Sequence, residues 1–215
     1  MNIKYLAASL VTFMSAPTLA SIIVLDFEGV ADFASVADFY NGGGGTNYGI
    51  EFSSNSLGLI DADAGGNGNF ANEPSENTAL FFQTGTSATL NFFGGFDTGF
   101  SFFYSSATVA NISVYDGLNA TGNVLASLSL AAQHTNGCTG DPSGSFCNWS
   151  AVGIDFGGTA LSVDFGGVAN EVAFDDITFG TSTAGGGSQS VPTPATLALL
   201  GLGLAGLGWS KRKKA

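Results

Sequence analysis

Basic side chains are almost absent from this chain outside its two ends. Its 215 residues include five Lys and Arg against 17 Asp and Glu, for a formal net charge of −12. Lys4 precedes the body of the chain, and the other four basic residues follow Trp209. The body, between residues 21 and 190, therefore cannot neutralise phosphates, and we exclude nucleic acid as its partner. Its carboxylates must instead be spread apart or be screened by salt or bound cations.

Cysteine and histidine are also scarce, with two Cys and one His in the whole chain. In an exported protein we expect Cys138 and Cys147 to form a disulfide. Closing this short loop is worth about 2–3 kcal/mol by chain-entropy reasoning. Two thiols and one imidazole give weak support for a metal site, so we predict a structural disulfide instead.

A constellation of catalytic side chains is missing from the sequence. A Ser-His-Asp triad would have to use His134, which lies in a polar turn where a surface histidine is the simpler interpretation. Carboxylates are plentiful, so a polysaccharide hydrolase with two paired carboxylates remains an alternative. No particular pair is marked by an apolar pocket signature, and we therefore predict a non-catalytic body.

Helical periodicity is also missing between the two ends, where short apolar runs alternate with Gly-, Asn- and Asp-rich segments. In Val124–Leu130, for example, every second side chain is apolar, which is the pattern of a half-buried strand. About ten to twelve such strands favour an all-β, jelly-roll-like antiparallel β-sandwich over residues 21–180. Segment 33–40 is either a strand or a short helix. The predicted strands are 22–27, 49–53, 57–60, 79–83, 88–93, 99–104, 110–115, 124–130, 149–156, 160–165 and 171–179.

The last predicted strand, 171–179, changes phase along its length. Strict alternation would divide its large apolar side chains between two faces: Val172, Phe174, Ile177 and Phe179. One extra residue at Asp175 or Asp176 restores a single apolar face. The sequence therefore predicts a β-bulge that carries two adjacent carboxylates.

Two acidic segments are candidate calcium sites. The first offers four oxygen-bearing side chains among glycines: Asp61, Asp63, Asn67 and Asn69. Calcium accepts several such oxygens in irregular loops, whereas an Asx-rich surface loop is the alternative. The second candidate is Asp175 with Asp176 at the predicted bulge, joined by Asp26 or Glu28. Its alternative is a pair of carboxylates that cap backbone amides.

The first 20 residues are typical of a secretory signal peptide. Lys4 supplies the positive charge, residues 6–14 form the apolar segment, and small residues precede the cleavage point. We expect cleavage after Ala20, which leaves Ser21 as the first residue. The alternative is an uncleaved anchor or a buried helix.

The last 25 residues form a tail in three parts. A proline pair comes first, in Val191, Pro192, Thr193 and Pro194. An apolar run over residues 195–209 follows, and we predict a short transmembrane helix there. A basic stop ends the tail, in Lys211, Arg212, Lys213 and Lys214. Fifteen residues give about 22 Å of helix, short of the roughly 30 Å hydrocarbon core, so we expect a temporary anchor.

Residues 181–190 are small and polar, which is typical of a flexible linker.

The tail resembles the PEP-CTERM sorting signal of Gram-negative bacteria, which is also catalogued as an ice-binding protein C-terminal domain. The resemblance lies in the proline pair, the apolar run and the basic stop, with Thr193 where the family name has Glu. It implies export, a transient stay in the inner membrane, and cleavage and transfer by an exosortase. The destination that it implies is the cell surface or an extracellular matrix that contains exopolysaccharide.

The body resembles the uncharacterised β-sandwich domains that often precede such tails. The similar stretches are 25–30, 38–57, 95–106 and 174–180. Jelly-roll carbohydrate-binding modules share this general shape. The resemblance therefore implies a surface or matrix protein that binds glycan or exopolysaccharide. An ice-binding surface protein is a further alternative, although the body has no regular Thr repeat.

Overall fold

A computed structural model of the protein describes residues 22–136, 138 and 144–186. These residues form a sandwich of two antiparallel sheets, with 3₁₀ turns at Phe39–Asn41 and Ala184–Gly186. The predicted fold class, an all-β jelly-roll-like sandwich, is confirmed. Within the described ranges, no helix is long and apolar enough to cross a membrane. The predicted signal peptide with its cleavage point at Ala20–Ser21, and the tail over residues 191–215, lie outside the described residues.

The first sheet contains six strands in the order β3-β4-β11-β6-β9, with β1 also paired to β11. Its strands are β1 Ile23–Leu25, β3 Ser56–Ile60, β4 Thr78–Phe82, β6 Gly99–Ser106, β9 Ser150–Asp155 and β11 Val172–Phe179. Strand β4 pairs with the first half of β11 and β1 with its second half. The two short strands therefore follow one another along the same edge of β11.

The second sheet has the order β2-β5-β10-β7-β8. Its strands are β2 Ile50–Phe52, β5 Ser87–Phe96, β7 Ala110–Tyr115, β8 Val124–Leu130 and β10 Ala160–Gly166. From β5 onward the chain repeatedly crosses between the two sheets, so that neighbouring strands in a sheet come from distant parts of the sequence. Nearly all predicted strands coincide with observed ones, because period-two alternation marks their inward faces.

Phenylalanine dominates the core between the sheets. Phe100, Phe102 and Phe174 come from the first sheet and Phe165 from the second, and all four are fully buried. The rings of Phe165 and Phe174 meet at 4.9 Å with a 63° interplanar angle. Edge-to-face packing of this kind stabilises aromatic pairs beyond their area burial. Aromatic contacts of this kind therefore help to hold the two sheets together.

The predicted β-bulge in the last strand is confirmed. The register between β11 and β6 shifts between Asp175 and Thr178, and Asp176 has a positive φ of 47°. The four apolar side chains of β11 all reach the main core: Val172, Phe174, Ile177 and Phe179. The bulge lets one strand keep a single apolar face across its phase change.

The outer face of the first sheet is covered by loops that form a second, smaller apolar cluster. Phe70 from the 61–77 loop and Phe81 from β4 are buried there, and Phe146 and Trp149 pack against them. The predicted disulfide between Cys138 and Cys147 is present beside this cluster. It links Cys138 to Cys147, which lies three residues before the start of β9.

The outer face of the second sheet carries short polar side chains in register. One row crosses four strands, through Thr89, Asp164, Ser113 and Ser127. The 116–123 loop folds over one end of this face, where Asn119 exchanges hydrogen bonds with Asn91. The row contains a single Thr and therefore lacks the Thr array on which the ice-binding alternative depends.

Two predicted segments differ in detail from the structure. Residues 33–40, predicted as a strand or a short helix, contain turns, one isolated bridge at Ser35 and the start of the 3₁₀ turn. Several of their apolar side chains reach the core from an irregular backbone. The sandwich also extends past residue 180, since the Ser101 hydroxyl donates to the Thr181 carbonyl at 2.9 Å. The compact unit that contains the sandwich ends at Gly185. The linker beyond it stays a prediction.

Candidate functional site

A groove of about 380 Å³ opens beside β1, where aromatic rings and carboxylates meet. We call it the tyrosine groove and define it by five of its lining residues: Asp26, Glu28, Phe39, Tyr40 and Tyr48. Ligand sites in proteins are typically concave and aromatic, with a few placed polar groups. The tyrosine groove has this character.

The glycine run that follows Asn41 shapes one wall of the groove. Gly42 has a φ of 98° and ends the 3₁₀ turn, a backbone conformation that favours glycine. A Cβ placed on Gly45 would lie only 2.5 Å from Cε1 of Phe39. The chain can therefore lie against the Phe39 ring only because residue 45 has no side chain.

Tyr40 forms the floor of the groove and is held from both sides. The backbone amide of Phe27 donates to the Tyr40 hydroxyl at 2.8 Å. Phe27 has a positive φ of 62°, and this hydrogen bond satisfies its N–H. Burial, and then the nearby Asp26 carboxylate, raise the pKa of Tyr40 far above its usual value. The half-buried Tyr48 ring stacks on Tyr40 at 6.3 Å. Tyr40 therefore fixes the floor, and Tyr48 supplies the accessible ring.

The two carboxylates of the groove have different tasks. Glu28 accepts hydrogen bonds from the Asn77 and Thr78 amides, both at 2.8 Å, and from the Thr78 hydroxyl at 3.2 Å. It thereby ties the first residue of β4 to the chain after β1. Asp26 is exposed, and its Oδ1 accepts the Glu28 amide at 3.2 Å. Among the described residues none donates to its Oδ2.

Asp175, from the predicted bulge pair, lies behind the groove and is fully buried. It accepts three hydrogen bonds, from the Ser75 amide at 3.0 Å, the Ser75 hydroxyl at 2.7 Å and the Asp176 amide at 2.7 Å. Burial nevertheless raises the pKa of Asp175 to about 7. The Ser75 hydroxyl also lies 3.2 Å from the Asp26 carbonyl. Asp175 thus caps amides, the arrangement that the sequence left as the alternative to calcium.

Asp176 and Asp26 complete this acidic edge. Partial burial, and then the Asp26 charge, raise the pKa of Asp176. Asp26 therefore acts electrostatically on both Asp176 and Tyr40, and no described residue is a Lys or Arg that could compensate it. The edge of the sandwich around the groove carries an uncompensated negative field.

The four residues of the other calcium candidate lie in a folded loop in which Asp61 pairs with Gly68, and their side chains make different contacts. Asp61 is nearly buried, and its Oδ1 lies 3.4 Å from the Asp63 amide in an Asx-type turn. The Asn67 amide group instead donates to Asp32 at 2.5 Å, and Asn69 is exposed. Asp61 and Asp63 are therefore neighbours, whereas Asn67 is directed to a residue outside the predicted set.

Two acidic residues that the sequence did not single out belong to this region. Asp32 accepts both the Asn67 side chain and the Ile60 amide, so it fastens the loop to the end of β3. The pKa of Glu73 is raised by burial, and then by the charges of Asp61, Glu28 and Asp63. Neither stands in a local motif, since only the fold brings them to the loop. Across residues 22–136, 138 and 144–186, no group of three or more His, Cys, Asp or Glu side chains is arranged to hold a metal ion.

His134 lies away from the tyrosine groove, beside the disulfide. Its ring packs on Phe146 at 5.3 Å, and its carbonyl accepts the Cys147 amide at 2.9 Å. In the described part of the chain its imidazole has no Ser or Asp hydrogen-bond partner.

A second groove, of about 420 Å³, lies where β5 turns into β6. Its apolar lining comes from Phe92, Phe96 and Phe179, which are nearly buried, and from Ile23 on β1. These rings belong to the main core. The groove offers fewer accessible polar groups than the tyrosine groove and is the weaker candidate for a ligand site.

The sandwich resembles carbohydrate-binding modules among solved structures. CsCBM6-3 from Clostridium stercorarium, solved with cellobiose, matches at 17% identity and a TM-score of 0.39, over 75% of this chain and 94% of that one. A family 29 module from Piromyces equi matches at 9% and 0.39, over 74% and 89%. An adhesin domain of Lys-gingipain from Porphyromonas gingivalis matches at 13% and 0.38, over 74% and 97%. At these values the likeness carries no argument about ligands.

A family model matches the tail of the chain. Residues 190–213 match the PEP-CTERM protein-sorting motif, which confirms the resemblance predicted from the proline pair, the apolar run and the basic stop. The motif implies an exported protein that passes a membrane-linked sorting step on its way to a surface or extracellular location. No curated protein matches the chain in sequence.

Proposed function

We propose that this protein is a non-catalytic, exosortase-sorted surface or extracellular-matrix protein whose sandwich binds polysaccharide in the tyrosine groove. The observation that carries the proposal is the juxtaposition of the accessible Tyr48 ring with the exposed Asp26 carboxylate. A sugar ring offers an apolar face for an aromatic ring and hydroxyl donors for a carboxylate. A groove with both groups suits such a ligand.

The rigidity of the groove supports the same function. Tyr40 is fixed by the Phe27 amide, and Glu28 is fixed by the start of β4. Ser75 links β1 to the bulge through Asp26 and Asp175. A site that is already ordered loses little conformational entropy when a ligand binds.

Substitution of Tyr48 tests polysaccharide binding. We expect Tyr48→Ala to weaken retardation of the exported protein in gels that contain the native exopolysaccharide by about tenfold, because the stacking ring is lost. The control is Tyr115→Ala, which removes a half-buried tyrosine from β7 in the other sheet. Equal binding by wild type and Tyr48→Ala, or no binding to any polysaccharide, contradicts the proposal.

Sorting by an exosortase is supported by the tail motif and has its own test. We expect the mature protein to lack the basic stop at Lys211–Lys214, as measured by mass spectrometry of its C-terminus. Cells without exosortase should retain the tail and keep the protein in the inner membrane. An intact C-terminus on protein recovered from the cell surface would contradict processing.

A polysaccharide hydrolase is the second candidate, and one observation favours it. Asp175 has a raised pKa and lies next to Asp176, as one member of an acid–base pair should. Asp175 is nevertheless fully buried and held by Ser75, so it has no access to a substrate. Hydrolysis of a bound polymer by the exported protein would favour the enzyme over the binding protein.

A further inference from the structure

The electrostatic field at the tyrosine groove is negative, and this limits the kind of polysaccharide that can bind there. The whole body from residue 21 to 190 has no Lys or Arg. Asp26 is exposed at the groove. Burial is the main cause of the raised pKa values of Tyr40 and Asp176, and the Asp26 charge raises both further. An anionic ligand would therefore meet repulsion there, with no basic group of the body to offset it.

The groups that line the groove are also arranged to receive a cation. Oδ2 of Asp26 has no hydrogen-bond donor among the described residues, whereas Glu28 is already occupied by three donors. The Phe39, Tyr40 and Tyr48 rings line the same space. Ammonium groups bind both to carboxylates and to aromatic faces, so the two kinds of group are complementary to one ligand chemistry.

We propose that the tyrosine groove selects polysaccharides that bear free amino groups, with Asp26 as the residue that receives the ammonium. This specificity rests on the proposed polysaccharide-binding function. The sugar ring packs on Tyr48, and the protonated amine faces Asp26. N-acetylation removes the charge and weakens binding, and carboxylate-bearing polymers are excluded.

The experiment compares glucosamine oligomers of equal length with increasing N-acetylation, using the mature exported protein at mildly acidic pH, where sugar amines are charged. Affinity is measured by calorimetry. We expect affinity to fall as acetylation increases, and uronate oligomers not to bind. Asp26→Asn should weaken binding of the free-amine oligomer by roughly threefold to fivefold. It should weaken binding of the fully acetylated oligomer by a smaller factor, because the amide oxygen can still accept a sugar hydroxyl. The matched control is Asp97→Asn, an exposed carboxylate outside the groove.

The possible outcomes separate the inference from the function on which it rests. Equal binding of acetylated and free-amine oligomers that still depends on Tyr48 overturns the selectivity and leaves polysaccharide binding intact. Binding of polylysine that is as tight as that of the amino sugar, and independent of Tyr48, overturns it in favour of general attraction of polycations. If Tyr48→Ala binds every oligomer as wild type does, both proposals fail.

Discussion

Asp175 shows how this protein accommodates a buried carboxylate without a basic partner. Its charge would ordinarily be compensated by Lys or Arg, and the body has neither. Instead, three donors from Ser75 and Asp176 surround it, and the remaining cost of burial appears as a pKa of about 7. A pKa raised in the folded state makes stability depend on pH, because the folded protein holds a proton that the unfolded chain releases.

We therefore predict that the protein becomes less stable as pH rises from about 4 to about 7. The folded pKa of Asp175 is about 7 against an ordinary 3.8, so its contribution is present at low pH and is lost as pH rises through 7. The raised pKa values of Glu73 and Asp176 act in the same direction. Urea unfolding at several pH values should give a free energy that falls by a few kcal/mol over this range and then levels off.

Asp175→Asn should remove most of this pH dependence, because the amide does not titrate. Its oxygen can still accept the Ser75 hydroxyl and the Asp176 amide. Asp97→Asn, on the exposed surface, should leave the dependence as in wild type. A wild-type stability that is constant or increases between these pH values would be incompatible with a protonated, buried Asp175.

The position of this residue was predictable from sequence, whereas its partner was not. Four apolar side chains on one strand fix where the alternation breaks, and that break places Asp175 and Asp176 at the bulge. Ser75 lies 100 residues away in the chain, and nothing local in its loop marks it as a donor to β11. The tyrosine groove was missed for the same reason, since Tyr40 and Tyr48 reach Asp26 only through the fold.

At the level of elements, strands were predictable and the loops that cover them were not. The alternation of apolar side chains predicts both ends of β7 and of β8 correctly. It does so because each inward side chain must be apolar for the sandwich to close. The 61–77 loop has no such period, and no core residue was predicted within it. In the structure its Phe70 is buried against Trp149 on the outer face of the first sheet.

The disulfide should stabilise this covering layer. We predict that replacing Cys138 and Cys147 by Ser lowers the free energy of unfolding by roughly 2–3 kcal/mol. The unfolded chain is then no longer closed into a loop and gains conformational entropy. Trp149 is the only tryptophan between residues 21 and 190, and its Nε1 lies 3.2 Å from the Ala71 carbonyl. Its fluorescence therefore reports on the layer during urea unfolding. Wild type in reductant should match the double variant, and unchanged stability in both would contradict the prediction.

For the whole molecule, charge opposes the fold and aromatic packing supports it. The 17 Asp and Glu all lie between residues 26 and 176, and the basic residues are confined to the ends. The described body has no Lys or Arg with which its carboxylates could form ion pairs, so their repulsion is limited only by distance and screening. The phenylalanine core must hold the sheets together against this repulsion.

We predict that both salt and calcium raise the melting temperature of the mature protein, by different mechanisms. Raising NaCl from about 0.01 to 0.15 M shortens the Debye length from roughly 30 to 8 Å, which weakens repulsion among all carboxylates. Calcium bound by the oxygens of the candidate loop, in Asp61, Asp63, Asn67 and Asn69, would add stability that depends on the calcium concentration, beyond this screening. Millimolar CaCl₂ should therefore give a modestly higher melting temperature than NaCl of equal ionic strength, and a chelator should reverse the difference. Asp63→Asn should abolish the calcium increment and retain the salt effect. Identical melting curves in the two matched salts would show that the acidic loop is an Asx-rich turn and that its carboxylates are merely screened.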